Sequence, residues 1–382
     1  MTMRSFQNDA LRCACVAFLI VGIAVSGTAT AAPFESVFNP SDYSALNGDA
    51  ALNYSSGTLS FDTDSGAVTH SADGSLGTGA VDESNANGDV KMTVFTFSSI
   101  NLQSGVSISV TGRRGIVLAS QGDLIIGSAV TLGVQGTAGE TNGDTTGWSD
   151  PKIGKGGPGA DGTSTSEDGN RGGSTQSAPP GTYGGDGGWV KHLYTDSYNG
   201  RGVGGGISVF GLNNRGGGGG YGGAGDAGTV AGGPSYGDDY LESLLGGSGG
   251  GGSSKDHSES YGGGGGSGGG VLLAGSTIGF DGAINAYGGN GYSSTVGAGG
   301  GGRVAFYVGN IWGKTLAELN TFNGDDDGNG LGGDLAEPVD GLTFGASEGA
   351  VDIRGMGDNA GRHGSFYVLA PPPPAGTVVF LK

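Results

Sequence analysis

Glycine supplies 90 of the 382 residues, far above the roughly 7% of ordinary globular chains, and it is densest between Gly136 and Gly302. Ordering a glycine costs about 0.5 to 1 kcal/mol more than ordering an alanine, so fixing all of them would cost at most about 45 to 90 kcal/mol. One large globular core cannot offset that with so few aliphatic and aromatic residues. The chain must therefore bury a thin, extended core or several small ones. Its glycine is either mobile or paired in a close lattice that only residues without a Cβ permit, such as packed polyproline-II-like strands.

What flanks the glycine narrows the choice. Gly115-Ile-Val-Leu-Ala-Ser120 precedes it and Gly270-Val-Leu-Leu-Ala-Gly275 follows, near-copies 155 positions apart. The correspondence continues: Leu124 and Ile126 answer Ile278 and Phe280 across a one-residue gap, and Ala129-Val130 answers Ala283-Ile284. Weaker echoes stand at Gly302-Arg-Val-Ala-Phe-Tyr307 and Gly364-Ser-Phe-Tyr-Val-Leu369. Short strands that recur between turns, each too short to bury a face alone, gain stability by stacking on their neighbours. The expected fold is all-β, a β-solenoid resembling a parallel β-helix with a long glycine-rich excursion, and a β-sandwich is the alternative.

Along the chain, residues 32–88 read as short strands and turns, with alternation at Thr58–Asp62 and Gly66–His70. Residues 89–135 carry the first solenoid strands, 136–269 the excursion, 270–313 the second strands, and 314–382 further strands, an acidic loop and a Pro-rich end. Helix signals are confined to Lys314–Asn320 and Asp238–Leu245, neither longer than about two turns. Trp148, Tyr183, Trp189, Tyr194, Tyr198, Tyr221, Tyr236 and Tyr261 punctuate the excursion. They either pin glycine segments to the core or stack on sugar rings.

The order Phe95–Leu102, Gly105–Gly112, Gly115–Ser120, a glycine-rich stretch, then Gly268–Ala274, Gly282–Gly289 and Gly299–Val304 resembles glycine-rich secreted bacterial proteins of β-solenoid type, over about Asp89 to Val308. The resemblance implies fold and location, and it transfers no catalytic residue. The chain departs from members that carry a C-terminal sorting tail, since only Ala375–Lys382 follows Pro371–Pro374.

Arg4 and Arg12 precede an apolar run from Cys13 to Val25, and Ala29-Thr30-Ala31 fits a cleavage site, so residues 1–31 read as a signal peptide. Export to the cell surface or the extracellular medium follows, with no transmembrane segment in the mature chain. Both cysteines, Cys13 and Cys15, fall in that leader, so the mature chain has no thiol to form a disulfide. The formal charge is −19; removing Arg4, Arg12 and Asp9 takes away a net +1 and leaves −20. That charge disfavours nucleic acid and suits divalent cations.

Asp325, Asp327 and Asn329, followed by Gly330, fit the opening of a calcium loop, with oxygen ligands at alternate positions. Ala336 stands where a bidentate Glu belongs, and Glu337 comes one place late. Calcium is thus the one candidate cofactor. No catalytic set stands out. The G-x-S-x-G patterns at 246–250, 265–269 and 345–349 are expected by accident in glycine this dense, and none sits between a strand and a helix. His70, His192, His257 and His363 lack zinc spacing. A lyase on acidic polysaccharide could draw on Lys191, His192 and Tyr194 with Arg201 or Arg215. The composition points to a secreted structural or adhesive protein of the surface or matrix, with extracellular polysaccharide as a candidate partner. The alternative is a polysaccharide lyase or a glycan-binding protein.

Overall fold

The computed structural model describes residues 50–81, 92–112, 114–136, 204–207, 216–228, 230–241, 244–251, 264–291, 296–309, 311, 314–323, 339–344, 350–356 and 361–372. These residues are all-β. They open with β1 (Leu52–Asp62), β2 (Ala67–His70), β3 (Gly74–Thr78) and β4 (Ala80–Val81). The chain then makes successive similar passes: β5 (Thr93–Phe97) and β6 (Ile100–Thr111); β7 (Ile116–Ser120), β8 (Asp123–Ile126) and β9 (Thr131–Gly133); β10 (Gly270–Gly275), β11 (Thr277–Phe280) and β12 (Ala283–Asn285). A last full pass runs through β13 (Arg303–Val308), β14 (Asn320–Asn323), β15 (Leu342–Phe344) and β16 (Ala350–Asp352), and β17 (Ser365–Ala370) follows.

Each pass lays its strands on those of the pass before. One sheet runs β15-β11-β8-β6-β1-β2-β3, a second β14-β17-β13-β10-β7-β5-β4, and a third β16-β12-β9. Pairing between passes is parallel, while the ends turn antiparallel, at β1–β2–β3, β4–β5 and β14–β17. The repeat seen in the sequence is literal. Val271 lies opposite Ile116 and Ala274 opposite Ala119, and Ile278 and Phe280 lie opposite Leu124 and Ile126. Both echoes join the same sheet, Arg303–Val308 beside β10 and Ser365–Ala370 beside β13.

The third correspondence needs correction. Ala283 and Ile284 pair with Thr131 and Leu132, not with Ala129 and Val130. The turn after β8 spans four residues, 127–130, against two, 281–282, after β11. Ala129 sits at φ 63 within that longer turn, so extended backbone resumes only afterwards.

Burial explains why the strands read differently. In β7, β10 and β13 every residue is buried. Phe95, Leu118, Leu273, Phe306 and Val368 point into the main core, while Val94, Val117, Leu272, Ala305 and Leu369 pack on the opposite face with Tyr221, Leu241, Leu244 and Ile311. A parallel strand covered on both faces tends to a near-continuous apolar run, which is why Ile-Val-Leu-Ala and Val-Leu-Leu-Ala do not alternate. In β8 and β11 one face is open, and burial alternates. Phe306 anchors the core, with ring centroids 5.3 Å from Phe280 and 5.1 Å from Phe366 in edge-to-face contact. The two sequence-predicted helices are smaller than expected: Leu316–Glu318 is a single 3-10 turn, and 238–241 is a turn without helix. β1 pairs along its length with β6, so residues on both sides of position 89 share a sheet.

Candidate functional site

The glycine segments form a hydrogen-bonded lattice beside the strands. Gly217 and Gly220 donate their N–H groups to Ile207 and Gly204, Gly218 donates to Asp226, and Gly219 to Gly265. Partners therefore repeat every third residue. The same period recurs elsewhere: Gly264 and Ser267 donate to the segment 248–251, Gly265 and Gly268 to 297–300, and Gly361 and Gly364 to 353–356. A three-residue repeat of outward-directed bonds, with none inside the segment, is the pattern of packed polyproline-II-like helices. Side chains have no room here. A Cβ at Gly218, Gly233, Gly268 or Gly364 would fall on a neighbouring backbone carbonyl, well inside the 3.0 Å that real Cβ atoms keep.

The lattice continues the passes themselves. Segments 134–136, 286–289 and 353–356 follow β9, β12 and β16, whereas 264–269, 297–302 and 361–364 lead into β10, β13 and β17. Outgoing and returning segments pair antiparallel, as in Gly299 N–H to Gly289 and Gly302 N–H to Ala286. Segments 204–207, 216–220, 223–226, 231–234 and 248–251 come from the long excursion and add to the same lattice.

A strap made by residues 236–241 and 244–245 lies between the lattice and the outer face of the second sheet. Arg303, only 4% exposed, is its centre. Its guanidinium donates to the Tyr236 carbonyl from Nε at 3.2 Å and from Nη2 at 2.8 Å, and to Ser365 Oγ at 3.1 Å. It also pairs with the Asp239 carboxylate and lies 5.5 Å from the centre of the Tyr221 ring. Tyr307 donates its hydroxyl to the Tyr240 carbonyl at 2.7 Å, Tyr221 to Leu245 and Tyr236 to Gly246. The Met92 N–H reaches the Leu244 carbonyl at 2.5 Å. Burial pushes the Tyr221 phenol well above its usual range, against the opposing pull of Arg303.

The two described G-x-S-x-G serines serve this packing. Ser248 donates its hydroxyl to Tyr236 Oη at 2.8 Å and accepts from the Gly204 N–H at 3.0 Å, while Ser267 Oγ accepts from the Ser248 N–H at 2.8 Å. Both are fully buried. Tyr221 and Tyr236 pin glycine segments, one of the two roles anticipated for the aromatics. His70 is buried, its Nδ1 3.1 Å from Asp73 and its Nε2 3.1 Å from the Ser56 carbonyl, under the Tyr54 ring. Burial raises the Tyr54 phenol, and its hydrogen bond to Asp73 adds to this. His363 is exposed and accepts from the Gly355 N–H at 3.3 Å.

The calcium-loop candidates Asp325, Asp327, Asn329 and Glu337 lie outside the described residues, as do residues 1–31, Lys191, His192, Tyr194, Arg201, Arg215, His257 and the 345–349 pattern. So do Trp148, Tyr183, Trp189, Tyr198 and Tyr261. Among the described residues no three His, Cys, Asp or Glu side chains cluster as metal ligands, and no helix is long and apolar enough to cross a membrane. Arg303 escaped sequence reasoning as a structural centre. Its signal is a lone cation at the head of the apolar run Arg-Val-Ala-Phe-Tyr-Val. No protein-family model, curated protein or solved structure matches this chain.

Proposed function

We propose that this chain is a secreted structural or adhesive protein of the cell surface or extracellular matrix, built as a β-solenoid whose passes extend into the glycine lattice. The in-register return of β7, β10 and β13 supports a solenoid over a sandwich. The observation that carries the functional reading is where the glycine goes. It fills a lattice of backbone against backbone, in which hydroxyls such as those of Ser248 and Tyr236 are bonded to one another. Residues 1–31 supply the export signal in this reading, and extracellular polysaccharide or matrix is the partner. Calcium held by Asp325, Asp327, Asn329 and Glu337 acts as stabiliser.

Fractionating cells that express the full precursor tests this. The expected result is a product shortened at its N-terminus, found in the medium or bound to the surface and matrix. An unprocessed product retained inside the cell would overturn the proposal.

A further inference from the structure

We infer that the strap of residues 236–241 and 244–245 is a latch, with Arg303 as its positioning residue. It ties the excursion's part of the lattice to the second sheet, beside the backbone bonds of 216–220 to 264–269 and 297–302, and it can be released while the sheets stay folded. The inference does not depend on where the protein acts.

Three observations converge. First, the strap and the sheet are joined by two kinds of contact. One is the burial of the strap's Leu241 and Leu244 in one cluster with Val94, Val117, Leu272 and Ala305. The other is a small set of directed polar bonds from Arg303, Tyr307 and Met92 to the Tyr236, Tyr240 and Leu244 carbonyls. Second, the strap's described residues hold no strand: 236–241 and 244 are turn or irregular, Leu245 is an isolated bridge residue, and Leu241 and Leu244 sit at φ 60 and φ 49. Its backbone meets the sheets through the Met92 N–H to Leu244 bond and the isolated bridge residue Leu245, and it builds no strand on them. Third, the strap's bonds lead into the lattice, because the Tyr236 N–H donates to Tyr221 and the Tyr236 hydroxyl meets Ser248. The chain of contact runs from β13 through Arg303 to Tyr236, then to segments 216–221 and 246–251.

A buried guanidinium is suited to this task. Its fork satisfies several acceptors at once, and removing it leaves the part-buried Tyr236 carbonyl without its charged donor. The sheets keep their own ladders, from β5 through β7, β10 and β13 to β17.

Hydrogen exchange resolved by residue tests this on the full mature chain carrying Arg303→Met. The amides of Tyr236, Leu241 and Leu244 are expected to exchange about 100-fold faster, which corresponds to about 2.8 kcal/mol. Those of Val117, Leu272 and Ala305 are expected to change less than about threefold. Equal acceleration of both sets would show one cooperative unit and overturn the latch, as would unchanged strap protection. If Arg303→Met does not fold, Tyr307→Phe and Asp239→Asn decide it. Each removes one contact at the strap's edge, and each is expected to accelerate the strap amides alone. Global acceleration or none in both variants would refute the proposal.

Discussion

Replacing Gly218 by alanine probes the lattice at its most confined. The new Cβ would be driven into the Ala298 carbonyl, with the Gly299 nitrogen also within reach. Neither is the end of a flexible side chain, so segments 216–220 and 297–302 must separate. The two bonds that join them stretch past use, Gly297 N–H to Gly216 at 3.0 Å and Gly300 N–H to Gly219 at 2.9 Å, and the displaced Ala298 carbonyl loses the Asp226 N–H, now at 2.7 Å, as a third. Each buried bond left unmade costs about 1 to 3 kcal/mol, so even at the low end the substitution costs about 3 kcal/mol. Gly279 is the control. A Cβ there meets Ile125 and Thr343 side chains at 3.7 Å, ordinary contact, on the open face of β11. Gly279→Ala is expected to stabilise by about 0.4 to 1 kcal/mol, through the entropy of the unfolded chain. Guanidinium unfolding of both variants beside the parent chain gives the midpoints and slopes. A Gly218→Ala cost below about 1 kcal/mol, or equal effects at the two positions, would refute the account of the lattice as close-packed.

Further expectations follow from the core, the strap and the acidic loop. Phe306→Ala removes the ring that touches Phe280 and Phe366 and should cost about 3 to 5 kcal/mol by chemical denaturation. The Tyr221 phenol titrates in the folded chain well above its unfolded value of 10.0, so its contribution is fully present below pH 10 and lost as pH rises beyond it. Unfolding midpoints measured from pH 8 to about 11.5 should therefore fall more steeply above 10 in the parent chain than in Tyr221→Phe. Thermal midpoints should rise with added calcium and drop with chelator, and Asp325→Ala with Asp327→Ala should abolish the response. A midpoint indifferent to calcium would remove the ion from the account.

Much of the strand framework was legible because its signals are side-chain signals. Ile116–Ala119 and Val271–Ala274 spell the same apolar run, and parallel in-register pairing aligns like with like. The error at Ala129 shows the limit. A turn longer by two residues is invisible when both copies carry small residues, and the φ of 63 that absorbs the difference has no distinct letter. Polyproline-II-like packing was open as one of two choices, with no means of selecting neighbours. The strap was unreadable, because Tyr236 and Arg303 are 67 positions apart and no pattern links a cation in a strand to a carbonyl in a turn.

By itself, the sequence determined that this chain is all-β and that Gly115–Ser120 returns as Gly270–Gly275, with weaker echoes at Gly302–Tyr307 and Gly364–Leu369. Those facts reside in side-chain size and polarity, which are local and written in the letters. The tertiary structure alone decided which glycine segment lies against which, and where Arg303 anchors the strap. In the lattice the bonds are, apart from those to the Ser248 and Ser267 hydroxyls, between backbone groups that all residues share. The partners are therefore chosen by the geometry of the assembled chain, and no glycine differs from the next until it is in place.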